Sequence, residues 1–171
     1  MDSDLPGEIL AWIGQVVVVE DADIAVERVL IENFCTAVED GNPLYWDADC
    51  AAAAVGTIIA PPAMLSAWTR PHEWSPTGGT MARRPLELHF RLKDTLGLPK
   101  AVVVDSEVCY YEPVRPGDRV RAEQVLDEVG PLQENRLGHG RKWTISIFYY
   151  RAERVMLGHE RLCFFAYGAV P

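Results

Sequence analysis

The sequence has no run approaching the ~18 apolar residues of a membrane-spanning helix, and it opens on acidic Met1-Asp2-Ser3-Asp4 where a secretory leader is basic. A cytoplasmic location, with no membrane partner, is the expectation. Basic residues are scarce, since 16 Lys and Arg face 25 Asp and Glu for a net charge of -9. That balance argues against a nucleic-acid partner and against a polybasic membrane contact. The four cysteines, Cys35, Cys50, Cys109 and Cys163, stand singly and in no zinc-ligand spacing, so each is expected to be a buried free thiol. Internal repeats, low-complexity tracts and linkers are also missing. A chain of 171 residues with 49% hydrophobic content is then expected to fold as one domain, residues 1–171, around a sizeable core.

What is present divides into a helical first half and a β-rich second half. Val16 to Val19 form a β-branched run that reads as a short strand. Asp21 or Asp23 is then placed to cap a helix from Ile24 to Val38, where Val26, Val29, Leu30, Phe34 and Ala37 recur at helical intervals. The helix stops at Asp40-Gly41-Asn42-Pro43, with Gly41 expected at positive φ and Pro43 constraining the residue before it. Ala48 to Ala54 suits a short helix capped by Asp47, and the prolines predict a buried helix starting near Pro62. Thr69 to Arg84, with its prolines and paired glycines, reads as a long loop of a kind that is commonly functional.

From Leu86 onward, Leu86, Leu88 and Phe90 alternate with Glu87, His89 and Arg91, which predicts a strand. Ala101 to Glu112, Arg119 to Val129, Trp143 to Tyr150 and Val155 to Phe165 follow as further β-runs. Turn chemistry at Pro113 to Asp118, Gly130-Pro131, Gly138-His139-Gly140 and Ala152-Glu153 separates them. Helices first and long antiparallel strands afterwards make an α+β fold.

Between the first two helical patterns lies Glu39-Asp40-Gly41-Asn42-Pro43-Leu44-Tyr45-Trp46-Asp47. It resembles the signature of the MaoC-like hot-dog hydratases, commonly Gly-Asp-x-Asn-Pro-Leu-His-x-Asp. The Ile58-Ile59-Ala60-Pro61-Pro62-Ala63-Met64-Leu65 segment, the Pro113-Val114-Arg115-Pro116-Gly117-Asp118 turn and the closing β-run to Tyr167 are similar to the same family. The likeness is greatest to its FAS1-type N-terminal dehydratases and (R)-specific enoyl-CoA hydratases. The resemblance implies a single hot-dog domain, in which a curved antiparallel sheet wraps around a central helix. It implies addition or removal of water across the α,β double bond of an acyl thioester. Coenzyme A then enters as part of the substrate, and no metal or redox cofactor is needed.

Hydration of an enoyl thioester needs a base to activate water, an acid to protonate C2 and a donor to the thioester oxygen. Carried over by the resemblance, Asp40 is the catalytic carboxylate, Asn42 shapes the loop, and Tyr45 stands where the family has its His. A phenol, with a reference pKa of ~10, is a poor neutral-pH base beside an imidazole of ~6.5. Pro61 and Pro62 lack N–H groups, which leaves Ala63 or Met64 to supply the backbone donor. His72, which follows the central helix, and Arg84, a candidate for the phosphates of coenzyme A, complete the expected substrate-binding set.

The missing His resembles the degenerate partner chain of two-chain hydratases, whose neighbour carries the Asp/His pair. The expected function is therefore a subunit of an enoyl-CoA hydratase for a bulky acyl group, of the steroid side-chain kind, acting as a heteromer with a second hot-dog chain. A self-sufficient homodimeric hydratase using Asp40 and a non-catalytic acyl-thioester binding module are the alternatives. Oligomerisation is expected under each, because hot-dog sheets pair side by side over an edge that is costly to expose.

Overall fold

The computed structural model describes residues 4–70, 76 and 84–168. In chain order the elements are α1 (Gly7–Trp12), β1 (Val16–Asp21), α2 (Arg28–Val38), α3 (Pro43–Trp46), α4 (Ala48–Val55) and a 3₁₀ helix (Pro62–Thr69). Then come α5 (Glu87–Leu96), β2 (Lys100–Tyr110), β3 (Arg121–Val129), β4 (Gln133–Asn135), β5 (Gly138–Arg151) and β6 (Val155–Gly168). Among the described residues no helix is long and apolar enough to cross a membrane.

The strands form one antiparallel sheet in the order β1-β3-β5-β6-β2, with β4 pairing only with β5. Alternation along β5 turns Trp143, Ile145, Ile147 and Tyr149 to the core, where all four are buried. Register then fixes which residues share that face. One row across the sheet runs Val18, Gln124, Ile147, Glu160, Val108, and the next runs Glu20, Ala122, Tyr149, Gly158, Tyr110. Met64, Leu65 and Trp68 of the 3₁₀ helix and Leu88 and Leu92 of α5 belong to the same buried core as the inner face. Gly158 is what lets the 3₁₀ helix come down onto the strands. A Cβ there would overlap the Leu65 side chain and lie 2.9 Å from the Cys109 carbonyl oxygen.

Several elements differ from the sequence expectations. Residues Leu86 to Phe90 are not a strand, for α5 occupies Glu87–Leu96, buries Leu88, His89 and Leu92, and ends at Gly97 in the left-handed region. Five residues of alternation are too few to separate period two from a helix whose buried pair is i, i+4. Helix α2 begins at Arg28, later than Ile24, and its N-cap is Glu27 with no side-chain capping bond, so neither Asp21 nor Asp23 caps it. The segment before it is tied elsewhere, since the Val26 N–H bonds the Asp118 carbonyl and the Gly117 N–H bonds the Val26 carbonyl, both at 2.8 Å. The helix at Pro62 is 3₁₀. Gly138 to Gly140 open β5 as ladder residues pairing with β4 and β6. Of the free cysteines only Cys35 is buried. Most of the loop expected over Thr69 to Arg84 lies outside the described residues.

Candidate functional site

The loop after α2 is built by local hydrogen bonds. Glu39 ends the helix in the left-handed region (φ 57, ψ 38), with its N–H on the Cys35 and Thr36 carbonyls. The Asp40 N–H follows onto the Cys35 carbonyl at 2.9 Å, a helix-terminating pattern that normally uses Gly at the left-handed position. Positive φ thus falls on Glu39 and not on Gly41, as the loop had been expected to place it. In the family signature that position is the Gly before the Asp.

Two side chains then shape the turn. Asp40 Oδ1 accepts the Asn42 N–H at 3.0 Å, and Asn42 Oδ1 accepts the Leu44 N–H at 3.1 Å to cap α3. Trp46 Nε1 donates to the Asp40 carbonyl at 2.8 Å, closing the loop on itself. The Ile59 N–H reaches the Leu44 carbonyl at 3.3 Å, which ties the loop to the segment leading into the 3₁₀ helix. Asp47 caps α4 through the Asp49 and Cys50 N–H groups, as expected.

Tyr45, at the family's His position, is buried. Burial raises the pKa of its phenol above the ordinary value, and the negative charge of Asp40 adds to the rise, while the Asn42 side chain opposes it. Burial and Asp40 act likewise on the Cys35 thiol. The loop therefore presents the half-buried Asp40 side chain beside a phenol that stays protonated at neutral pH, and no imidazole.

At the start of the 3₁₀ helix, Pro61 and Pro62 have no N–H, and the Met64 N–H is taken by the Pro61 carbonyl at 2.9 Å. The Ala63 N–H has no backbone partner among the described residues, and Ala63 is exposed. Of the two candidate donors, Ala63 is the one whose N–H is not committed to the backbone. Met64 is buried and lines a different cavity, of about 360 Å³, with Leu30, Trp68 and Arg70.

A groove runs from this helix start. A cavity of about 110 Å³ lies between Ala60, Pro62, Leu65, Tyr110 and Leu157. It shares Pro62, Leu65 and Tyr110 with a second, of about 230 Å³, which Ala63 and Val108 also line. The second in turn shares Ser66, Tyr149 and Glu160 with a third, of about 130 Å³, which reaches Thr69, Arg70 and Gln124. Eight residues of 3₁₀ helix, at ~2 Å each, give the groove a length of about 16 Å.

The structure thus gathers Asp40, Asn42 and Tyr45 in one loop and places Ala63 at the groove. It does not put Arg84 in reach of an incoming phosphate charge without competition. Arg84 pairs with Glu87 at 3.3 Å and Asp94 at 3.0 Å and lies 4.8 Å from the centre of the Phe90 ring. His72 lies outside the described residues. Sequence reasoning missed Gln124, Tyr149, Glu160 and Glu20, polar groups on the inner face of the sheet. The readable signal was Gln124, a polar residue in phase with Ala122 and Leu126 along β3.

Comparison with known proteins places these features. The model of the FAS1-like dehydratase domain region matches residues 11–137. The alpha subunit of 3-oxo-4,17-pregnadiene-20-carboxyl-CoA hydratase of Mycobacterium tuberculosis is 37% identical over 125 residues, covering 71% of this chain and 38% of that protein. A probable enoyl-CoA hydratase alpha subunit of Thermomonospora curvata is 27% identical over 154 residues, covering 88% of this chain and 48% of that protein. The chain therefore spans half or less of the length of these relatives. In the crystal structure of the ChsH1-ChsH2 complex from Mycobacterium tuberculosis, a chain superposes with a TM-score of 0.73 at 25% identity, over 96% of this chain and 97% of that one. The α+β architecture, an antiparallel sheet packed on helices, is the hot-dog fold of such hydratases.

Proposed function

The chain belongs to the FAS1-like dehydratase family, and from that membership we propose that it is one subunit of a two-chain enoyl-CoA hydratase, lending an acyl groove to a partner that carries the Asp/His pair. One observation carries the reading: Tyr45, at the family's His position, is a buried phenol whose pKa lies above its ordinary value. It donates a proton poorly and accepts one not at all at neutral pH, so this loop lacks the imidazole that the family signature pairs with its Asp for water activation.

In the proposed reaction the partner's base takes a proton from water as its oxygen attacks C3, and a proton is delivered to C2, saturating the double bond. This chain contributes the Ala63 N–H as a candidate donor to the thioester oxygen, on which charge develops in the enolate-like transition state. It also contributes the groove beside the 3₁₀ helix, whose length of about 16 Å suits a bulky acyl group. The steroid acyl-CoA in the name of the Mycobacterium tuberculosis relative is the first substrate to try. No cofactor beyond the coenzyme A of the substrate enters the scheme.

The test is co-expression with a hot-dog chain bearing both Asp and His, followed by loss of enoyl-thioester absorbance. The lone chain should be inactive and the complex active. In the complex, Asp40→Asn should lower kcat by less than about ten-fold, whereas loss of a true acid/base carboxylate costs ~10²–10⁴. The substitution keeps the Oδ1 that accepts the Asn42 N–H, so the loop should hold its shape. A purified lone chain that hydrates enoyl-CoA and is silenced by Asp40→Asn would overturn the partner role in favour of a self-sufficient hydratase. Binding of acyl-CoA without hydration in any complex would leave an acyl-thioester binding module.

A further inference from the structure

The inner end of the groove is unusually polar for a surface packed against a hydrophobic core. Gln124 is only 1% exposed and lines the third cavity. Its Oε1 accepts the Leu88 N–H at 3.0 Å, which commits the oxygen and leaves the Nε2 end of the amide for the cavity. Among the described residues the fully buried side-chain atom left without a partner is Trp68 Nε1, so Gln124 Nε2 is open to the cavity, where water or a ligand group can accept its hydrogens. Facing the same cavity, the Tyr149 hydroxyl donates to Glu160 Oε2 at 2.9 Å. Ser66, Thr69 and Arg70 line it as well, as does Glu20 at the neighbouring position of the Glu20, Ala122, Tyr149 row.

The cluster offers amide donors on one side and a carboxylate acceptor on the other. Burial, with the charge of Glu160 next to it, raises the pKa of the Tyr149 phenol far above its usual value, so it remains a protonated hydroxyl whose oxygen can also accept. A saturated hydrocarbon satisfies neither side, and a ketone only accepts. A hydroxyl does both, accepting from Gln124 and donating to Glu160 or to the Tyr149 oxygen.

We infer that Gln124, Tyr149 and Glu160, with Ser66 and Thr69, form a subsite for a hydroxyl group carried by the acyl chain. The inference rests on the reading of the groove as an acyl-thioester site. Ser66 and Thr69 stand three and six residues beyond Ala63 along the 3₁₀ helix, which sets that hydroxyl about 6–12 Å from the thioester carbonyl. The subsite selects among acyl groups and takes no part in the addition of water.

Isothermal titration of the two-chain complex with ω-hydroxydecanoyl-CoA, decanoyl-CoA and its methyl-ketone analogue tests it. The hydroxylated probe should bind about ten-fold more tightly than decanoyl-CoA, as expected for a buried hydrogen-bonding group given partners, with the ketone between them. Gln124→Glu keeps an oxygen for the Leu88 N–H but removes the amide donors, and should bring the two affinities to within about two-fold of each other. Tyr149→Phe should erode the preference in the same direction and serves as an independent variant. Equal binding of the hydroxylated and plain probes, tighter binding of the ketone, or a preference untouched by both substitutions overturns the subsite alone. Failure to bind any acyl-CoA overturns the acyl-groove reading with it.

Discussion

His89 lies buried against Trp143 and Phe164, with its Nδ1 accepting the Trp143 indole N–H at 3.3 Å. Protonating Nδ1 would set two donors against each other in a desolvated site. Burial, helped by the charge of Lys93, accordingly lowers its pKa from 6.5 to about 4. Below pH 6.5 the unfolded chain takes up a proton here that the folded chain refuses. Stability should therefore fall as pH drops from about 6.5 to about 4, by roughly 3 kcal/mol in all, and show no dependence on this group above that window. Denaturant titrations at stepped pH will show the loss. Glu87 and Glu123, both held below their usual pKa by arginine partners, add their own loss at lower pH. Comparison with His89→Gln, which can still accept the indole N–H but does not titrate, isolates the histidine. A variant whose pH profile matches the wild type would remove His89 from the account. His89 has a position but no role in the sequence alone, because the rings it packs against and bonds, Trp143 and Phe164, come from β5 and β6, more than fifty residues away.

Where α2 gives way to the Asp40 loop, the chain places a side chain in a conformation that favours glycine. Glu39 has φ 57 and is exposed, so its carboxylate gains no buried partner to offset the backbone cost. Glu39→Gly should raise stability by about 1 kcal/mol, with the loop geometry and the Asp40 hydrogen bonds intact. A rise in Tm with unchanged complex formation is the expected result; a lower Tm would show that Glu39 makes a compensating contact. The departure from the family's Gly was visible in the sequence, but its meaning was not, because the left-handed residue was assigned to Gly41. Elements with chemically specific ends were the legible ones. Asp47 caps α4 and the prolines open the 3₁₀ helix where their side-chain chemistry said they would. Helix α5 was illegible from Leu86, Leu88 and Phe90, although Gly97 two residues after Thr95 carried a helix-stop signal. Its buried pair Leu88 and Leu92 is a stripe one turn long, which local alternation can mimic.

At the scale of the whole molecule, the sheet leaves β2 as an edge, with β6 on one side and, among the described residues, no strand on the other. This edge is eleven residues long, and Val102, Val103, Val104, Val108 and Tyr110 are all exposed on it. Nothing in the strand's own sequence reveals this, for its run of valines looks like an interior strand until the order of the sheet is known. A long apolar edge is a template for another chain, and lysines are what blunt such edges. Val108 and Tyr110 also line the groove beside Ala63. A partner docked on β2 would therefore wall the groove at the end where the thioester is proposed to sit, making assembly and substrate binding one event. Val102 and Val104 line neither cavity at that end, so replacing both by Lys alters the edge and spares the groove. The double variant should keep a wild-type circular dichroism spectrum, weaken the two-chain complex by at least about ten-fold in sedimentation, and lose hydration in proportion to the complex lost. A complex that persists undiminished would move the interface off β2. Hydration that survives dissociation would mean that this chain closes its groove without a partner.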